Sequence, residues 1–140
     1  MPTVFSRIID GELPGTFVWR DERCVAFLSI NPITAGHILV VPRVEIDHWI
    51  DLDAALVVHL TTVAHAIARA QAAAFPCDKV AVIIAGYDVP HVHVHVFPTT
   101  SMGEISFANA AASVSRQQLD TAADRIRQEL RTAGHAAVAD

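Results

Sequence analysis

Three histidines occupy alternate positions in one short stretch of the chain, "PHVHVHVFPTT", which covers residues 90–100. Side chains on a β-strand alternate between its two faces, so His91, His93 and His95 would share one face and the intervening valines the other. Imidazole is a common metal ligand, and it is also a nucleophile and a proton carrier near neutral pH. The spacing therefore indicates one of three arrangements: a metal site, a polar ladder on the surface, or a nucleophile with two supporting histidines.

The metal alternative uses this spacing poorly. Same-face neighbours on a straight strand lie about 6.6–7 Å apart, so the outer two histidines are about 13 Å apart and cannot bind one ion together. A catalytic zinc would need two of the three and a further ligand, for which His37, Glu45 and His48 are candidates. None of these lies in a recognisable ligand motif. A polar ladder is also disfavoured, because threonine or lysine serves on an exposed face without titrating near neutral pH.

The nucleophile alternative fits the spacing best. The central imidazole, His93, can attack a phosphorus atom in line while its two neighbours orient it and donate hydrogen bonds to the phosphate oxygens. Histidine is largely neutral near pH 7, and the phosphoramidate that it forms is reactive enough to be hydrolysed. The three histidines by themselves therefore predict transfer of a phosphorus-containing group, with metal chemistry as the competing hypothesis.

Composition limits the protein class and its partners. The chain has 140 residues, of which 52% are hydrophobic and 18% charged, so we expect one folded domain over residues 1–140. Its net charge of −5 lacks the basic signature of a nucleic-acid-binding protein. Polar residues interrupt the apolar stretch 54–75, which predicts an amphipathic helix and no membrane partner. The first residues show no secretory signal, and Cys24 and Cys77 are isolated; a cytoplasmic location with reduced thiols is therefore expected.

The elements that must position the histidines follow from periodicity and turn residues. Strands are predicted at 16–20, 24–30, 37–42, 79–85 and 91–97. A long helix from Asp51 or Asp53 to about residue 74 separates the third strand from the fourth, and its apolar side should pack against the valines of the triad strand. Residues 98–114 are predicted to be irregular, and Ser115 with Gln118 forms a capping box that opens a C-terminal helix. The predicted fold class is α+β, with a five-stranded, mainly antiparallel sheet.

The triad also carries a family resemblance. "HVHVHVF" matches the pattern His-φ-His-φ-His-φ-φ, where φ is apolar, of the histidine triad (HIT) superfamily of nucleotide hydrolases and transferases. "VFSRIIDGELPG", "DERCVAFLSINPITAGHILVVPR" and "AGYDVPHVHVHVFP" extend the likeness over about residues 4–98, which leaves an irregular segment and a helix at 99–134. The chain most resembles the small nucleotide-binding branch. This resemblance implies a five-stranded sheet with helices, a homodimer, no cofactor, and hydrolysis of nucleoside phosphoramidates or related adenylates of AMP or GMP.

The resemblance assigns roles to individual residues. It implies that His93 becomes nucleotidylated, that His91 orients it and contacts a phosphate oxygen, that His95 donates to the phosphate, and that His37 supports the triad. A nucleotide-binding set surrounds them: an apolar base pocket of Val4, Phe5, Ile8, Phe27 and Ile30, then Ser29, Asp88 and Val89. Ser29 stands where an Asp or Asn usually binds the ribose hydroxyls, and Asn31 is a neighbour that could share this role.

Several positions depart from the family pattern. A glycine-rich loop with an Asn is missing before the triad, and Tyr87 and Asp88 replace a common Gln and Ser. An ionised Asp88 facing the phosphate would repel it, so we expect this side chain to turn outward or to cap its own turn. Some bacterial relatives bind a structural zinc through an N-terminal Cys-x-x-Cys and a histidine. Here the segment reads "TVFS" and Glu45 takes the histidine position, so no metal is predicted.

Two other functions remain open on these residues. A dinucleoside polyphosphate hydrolase of the same superfamily would use the same triad on a longer substrate. A nucleotide-binding regulatory protein with little catalysis would keep the pocket and lose the turnover, which Tyr87 and Asp88 suggest. The expected partner in each case is a purine nucleotide.

Overall fold

A computed structural model describes residues 1–140 and contains three α-helices and one five-stranded sheet. In chain order the elements are α1 (Val4–Ile9), β1 (Phe17–Arg20), β2 (Cys24–Leu28), β3 (Ile38–Pro42), α2 (Ala54–Ala74), β4 (Lys79–Ile83), β5 (Val94–Thr99) and α3 (Arg116–Thr132). Short 3-10 helices lie at Trp49–Asp51, Met102–Glu104 and Phe107–Asn109. The predicted α+β class, the long helix between the third and fourth strands and the C-terminal helix are confirmed. No helix combines the length and apolar character that crossing a membrane requires.

The sheet order places the triad strand beside the strand that follows His37. The strands run β1-β2-β3-β5-β4, and all neighbouring pairs are antiparallel. In the β3–β5 pair, His95 lies opposite Leu39, two residues after His37. Because same-face neighbours on adjacent strands approach closely, this register brings His37 and His95 together although 58 residues separate them.

The two faces of the sheet bury two separate apolar clusters. Val94 and Val96 of β5 pack with Leu60, Val63 and Ile67 of α2, as the valine alternation predicts. The opposite face carries the histidines and a smaller cluster built around three aromatic rings, Phe5, Phe17 and Phe27. The candidate site therefore lies on the face of the sheet that α2 does not cover.

Helix starts agree in part with the signals in the sequence. Ser115 caps α3, and its capping box with Gln118 is complete. Asp53 precedes the first residue of α2, but its side chain makes no capping hydrogen bond. The sequence analysis did not predict α1, because six residues are too few to show a helical period. Its one available signal was Thr3, whose hydroxyl accepts a hydrogen bond from the Ser6 amide as an N-cap.

The triad strand begins later than predicted. Strand β5 starts at Val94, so His91 and His93 lie in the extended segment that leads into it. Here the backbone bonds to loops instead of a neighbouring strand: the amide of His91 donates to Val89 and that of Val92 donates to Ile46. The straight-strand spacing used for the metal argument therefore does not apply to the first two histidines.

Candidate active site

A cavity of about 650 Å³ opens on the histidine face of the sheet. Its walls come from α1, from the end of β2 with the following loop, and from the C-terminal segment around Phe107. All eight residues of the predicted nucleotide-binding set line it, together with two of the predicted catalytic histidines: Val4, Phe5, Ile8, Phe27, Ser29, Ile30, Asp88, Val89, His37 and His95. His91 and His93 are buried just behind this wall, where both rings make edge contacts with Phe5. The structure therefore brings all twelve predicted site residues to one place.

Hydrogen bonding fixes which nitrogen of His93 is free to react. Its Nδ1 lies 2.7 Å from the backbone oxygen of His91, and a carbonyl can only accept. The proton therefore belongs on Nδ1, a tautomer inferred from the bonding partners. In the neutral ring the lone pair is then on Nε2, which is buried and makes no hydrogen bond to the protein. A free lone pair at this atom is what in-line attack on phosphorus requires.

A second chain of hydrogen bonds prepares His95 as a donor. The amide of Ile33 donates to Nδ1 of His37 at 3.0 Å, so the ring proton of His37 is on Nε2. This proton points to Nδ1 of His95, 2.9 Å away, and the proton of His95 must then be on its own Nε2. The rings of His93 and His95 are 4.9 Å apart between centroids. A lone pair and an N–H donor thus stand side by side, as a phosphate group between them would need.

This relay works only with neutral rings, and burial keeps them neutral. Burial lowers the pKa of His37 to about 3, with the positive charge of a protonated His95 or His93 as the smaller cause. Burial is also the main reason that the pKa of His95 falls to about 4, and the positive charge of a protonated His93 is the smaller cause.

The turn before His37 is itself constrained, because Gly36 has φ +85° and a Cβ there would lie 2.5 Å from the Phe75 ring.

We expect the protein to lose stability on mild acidification. An unfolded histidine binds a proton near pH 6.5, whereas folded His37 and His95 resist it down to about 3 and about 4. Stability is therefore complete above about pH 6.5 and falls as the pH drops toward those values, by about 1.4 kcal/mol per pH unit for each histidine. Urea unfolding at about pH 7.5, 6.5 and 5.5 measures this slope. The exposed His48→Ala variant should show the same slope, and equal stability at all three pH values would contradict the assignment.

The His91 ring is held by Thr3, just before α1, and by Pro42, at the end of β3. Its Nε2 donates to the Pro42 oxygen at 2.8 Å, and its Nδ1 accepts from the Thr3 hydroxyl at 2.7 Å. Glu45 in turn accepts from the Thr3 amide and the Ser6 hydroxyl, both at 2.7 Å. We call Thr3, Ser6, Glu45 and His91 the Thr3–His91 network. It fixes the His91 ring, and the His91 carbonyl fixes the His93 ring.

The Thr3–His91 network occupies the positions where the family resemblance places a structural zinc in some relatives. Zinc prefers thiolate, imidazole and carboxylate ligands, and two of the four side chains here are hydroxyls. Nδ1 of His91 already accepts a hydrogen bond from the Thr3 hydroxyl. The donor set therefore does not suit zinc, and these positions hold one another by hydrogen bonds instead.

One other cluster has metal-ligand residue types. The ligand atoms of Asp21, Cys24 and His59 lie within 4.8 Å of one another. However, the Asp21 carboxylate already accepts from the Trp19 indole, from two backbone amides and from His59 Nε2 at 2.7 Å. Burial raises the pKa of the Cys24 thiol, which disfavours the thiolate that a metal needs. The cluster ties the β1–β2 hairpin to α2.

Asp88 lies against the predicted nucleophile, contrary to the expectation that it turns outward. Its Oδ1 is 3.2 Å from Nε2 of His93, although the Asp88 side chain is 69% exposed and the imidazole is fully buried. Nε2 of His93 makes no hydrogen bond to the protein, so this contact is electrostatic. The physical reason for the difference is the tight turn after Gly86 (φ +88°), which places the carboxylate beside this buried, unpartnered nitrogen.

Ser29 and its neighbour Asn31, which the sequence analysis connected with ribose binding, both line the cavity. Ser29 is buried, and its hydroxyl accepts from the Asn31 amide at 3.2 Å. The side-chain amide nitrogen of Asn31 donates to the carbonyls of Ala111 and Ala112. This pair of bonds holds the C-terminal segment at the cavity rim, where the Phe107 ring meets His95 at 4.9 Å. No pattern in the irregular segment 98–114 indicated this contact.

Comparisons with known proteins agree with the geometry. The sequence profile of the HIT domain matches residues 10–102. The chain is 34% identical over 103 residues to an uncharacterised HIT-like protein of Saccharolobus solfataricus, covering 70% of this chain and 74% of that one. It is 34% identical over 113 residues to an uncharacterised HIT-like protein of Mycobacterium tuberculosis, covering 77% and 78%.

Solved structures show the same architecture. A hypothetical histidine triad nucleotide-binding protein of Sulfolobus tokodaii superposes with a TM-score of 0.80 at 25% identity, covering 91% of each chain. A zinc-bound histidine triad family protein of Mycobacterium smegmatis gives 0.79 at 25% identity, covering 93% of this chain and 94% of that one.

Proposed function

Because the chain belongs to the HIT domain family, a superfamily of nucleotide-binding hydrolases, we propose that it hydrolyses nucleoside phosphoramidates or related adenylates at the α-phosphate. One observation carries the proposal. The unpartnered Nε2 of His93 lies beside the Nε2–H of His95 at the wall of an apolar cavity. No other pair of groups around the cavity combines a buried lone pair with an adjacent donor.

The proposed substrate is a purine nucleotide, because the cavity is apolar at one end and rich in donors at the other. Its volume of about 650 Å³ lies within the range of small-molecule sites. The apolar end, formed by Phe5, Ile8 and Phe27, suits a flat base, and the buried Ser29 hydroxyl lies where the ribose would follow. The phosphate would then meet His93 and His95.

The proposed reaction has two steps. Nε2 of His93 attacks the α-phosphorus, a nitrogen–phosphorus bond forms, and the bond to the leaving group breaks. His95 donates its Nε2–H to a phosphate oxygen on which charge increases. In the second step water attacks the same phosphorus, the bond to His93 breaks, and the nucleoside monophosphate is released.

A substrate panel with mass detection tests the proposal. The protein would be mixed with AMP-lysine, adenosine phosphoramidate, diadenosine polyphosphates and GMP analogues, quenched with acid-free denaturant, and analysed by intact and peptide mass spectrometry. A nucleotide adduct on the peptide containing His93 is expected with the phosphoramidates. Adduct formation and turnover only with the diadenosine compounds would favour a dinucleoside polyphosphate hydrolase. Tight binding without any adduct would favour a regulatory protein, the alternative that the Asp88 contact supports.

We further propose that the protein is a homodimer formed through α2 and β4. An apolar groove of about 300 Å³ runs between these elements, and Val82 and Ile84 beside it are 54% and 37% exposed. Strand β4 is also a sheet edge with unpaired backbone groups. A second copy would cover both features in an isologous contact.

Light scattering after size exclusion should give the mass of two chains at micromolar concentration. Val82→Glu should shift the protein to the monomer, because it places a charge in an apolar interface. Met102→Glu is the matched control, since Met102 is an exposed apolar residue (81%) remote from the groove, and it should remain dimeric. A monomeric wild type would refute this assembly.

A further inference from the structure

Asp88 is the one charged side chain that touches the predicted nucleophile, and the reaction as described gives it no role. We propose that Asp88 is a catalytic residue that takes the proton from Nε2 of His93 and then delivers it to the leaving group. This inference rests on the proposed function and adds the acid–base chemistry that the triad itself does not supply.

The protons of the other site histidines are already committed. Both ring nitrogens of His37 are bonded, to Ile33 and to His95. Both of His91 are bonded as well, to Pro42 and to Thr3. His95 uses Nδ1 as an acceptor and needs its Nε2–H for the phosphate. None of the three can exchange a proton with the leaving group without breaking this arrangement.

The remaining charged groups near the cavity are equally committed. Arg116 at the rim is paired with Asp120 at 3.2 Å. Glu45 reaches His91 only through Thr3 and Ser6, on the side away from the cavity. By elimination, Asp88 is the group at the reaction centre that is free to accept and release a proton.

The contact between Asp88 and His93 is favourable only when one of the two groups carries an extra proton. Nδ1 of His93 already carries a proton for the His91 carbonyl, so without a second proton Nε2 would present its lone pair to a carboxylate oxygen 3.2 Å away. Two electron-rich atoms repel at that distance. The pair is stable when one proton lies on Nε2, giving an imidazolium beside a carboxylate, or on Asp88, giving a neutral imidazole beside a carboxylic acid.

The proton then follows the bonds that form and break. When the substrate enters, the proton moves from Nε2 to Asp88, which frees the lone pair and leaves a neutral carboxylic acid that does not repel phosphate. As phosphorus takes its place at Nε2, the exposed Asp88 side chain turns away from that nitrogen toward the leaving amine on the opposite side of phosphorus. Nε2 bonds to phosphorus, the bond to the amine breaks, and the amine nitrogen takes the proton from Asp88. In the second step the Asp88 carboxylate accepts a proton from the attacking water, the Nε2–phosphorus bond breaks, and the original pair is restored with its one proton.

Two AMP substrates that differ only in the leaving group test this role. An N-alkyl phosphoramidate releases a strongly basic amine that must be protonated, whereas the p-nitrophenyl ester releases a phenolate that needs no proton. Asp88→Asn should lower kcat/KM on the phosphoramidate by about 100-fold or more, the usual size of a general-acid effect, and leave the ester within about 5-fold of wild type. Asp88→Glu should restore part of the loss. Tyr87→Phe, a change at the fully exposed neighbour in the same turn, is the matched control and should leave both rates unchanged.

Other outcomes would show whether the role of Asp88 alone or the whole proposed function is wrong. Equal losses on both substrates would overturn the acid role in favour of positioning, and equal gains with Asp88→Ser, with tighter AMP binding, would show that the carboxylate only blocks the nucleophile. In both cases the adduct on His93 would still form with the ester, so the proposed function would survive. No adduct in the wild type with either substrate would overturn the proposed function and this role together. Thermal melting of each variant checks that the exposed turn has not altered the fold.

Discussion

Replacing His93 by alanine should abolish the nucleotidyl adduct and lower kcat/KM by about 10⁴-fold or more, the scale seen when a covalent nucleophile is removed. Its Nε2 is the one buried triad nitrogen without a hydrogen-bond partner in the protein. Stopped assays with a nucleoside phosphoramidate, together with mass spectrometry of the quenched enzyme, measure both effects. Gln128→Ala, at an exposed position of α3, is the control and should retain full activity.

The same experiment distinguishes covalent catalysis from metal catalysis. His91→Ala and His95→Ala should lose less activity than His93→Ala, because they orient groups and stabilise charge without bonding to phosphorus. Equal losses at all three positions, with a wild type that gains activity from added zinc, would point to a metal site. The variant proteins must keep the wild-type circular dichroism, since the His93 ring packs 4.8 Å from that of Phe5 and its loss leaves a cavity.

His95→Ala should lower kcat by about 10²–10³-fold while KM changes little, because the lost hydrogen bond strengthens as charge develops on the phosphate. The tautomer relay from Ile33 and His37 leaves the Nε2–H of His95 free for this proposed role. His95→Asn, whose amide can still donate, should recover part of the rate. Steady-state kinetics on the phosphoramidate separates kcat from KM.

A double substitution tests whether the relay works as one unit. If His37 acts only through His95, His37→Ala should lower kcat in the wild type and have almost no effect in the His95→Ala background. Independent, multiplicative losses would show that His37 contributes in another way. A rise in KM with unchanged kcat for His95→Ala would mean that this ring only binds the ground-state phosphate.

The sequence predicted the sheet well because strand alternation is a local pattern, and it placed Val94 and Val96 toward α2. The residues that the family resemblance implied for the pocket, Phe5 and Ser29 among them, line one cavity, and nucleotide binding there stays a prediction. The sequence analysis missed helix α1 because its six residues are too few to show a helical period. Its contribution to the pocket follows from the family pattern alone.

Features set by tertiary contacts could not be predicted. The Asp88 side chain lies against Nε2 of His93, a buried nitrogen with no hydrogen-bond partner in the protein. No local pattern around Asp88 in the sequence indicates this contact. The Thr3 bond to His91 joins positions 88 residues apart. Phe107 covers His95 from a segment without regular strands or long helices, so its position follows from the loop path.

The Thr3–His91 network also bears on the order in which contacts form during folding. Thr3 leaves the ribosome early in synthesis, but its partner lies 88 residues later, and the His37–His95 relay spans 58 residues. Closing such long loops lowers the chain entropy before the contacts can stabilise the fold. We therefore expect both sets of hydrogen bonds to form late in folding. A nascent or half-folded chain therefore has neither the fixed tautomers nor the pocket wall. The proposed nucleotide chemistry would then be confined to the finished protein, and nucleotide affinity would report on complete folding.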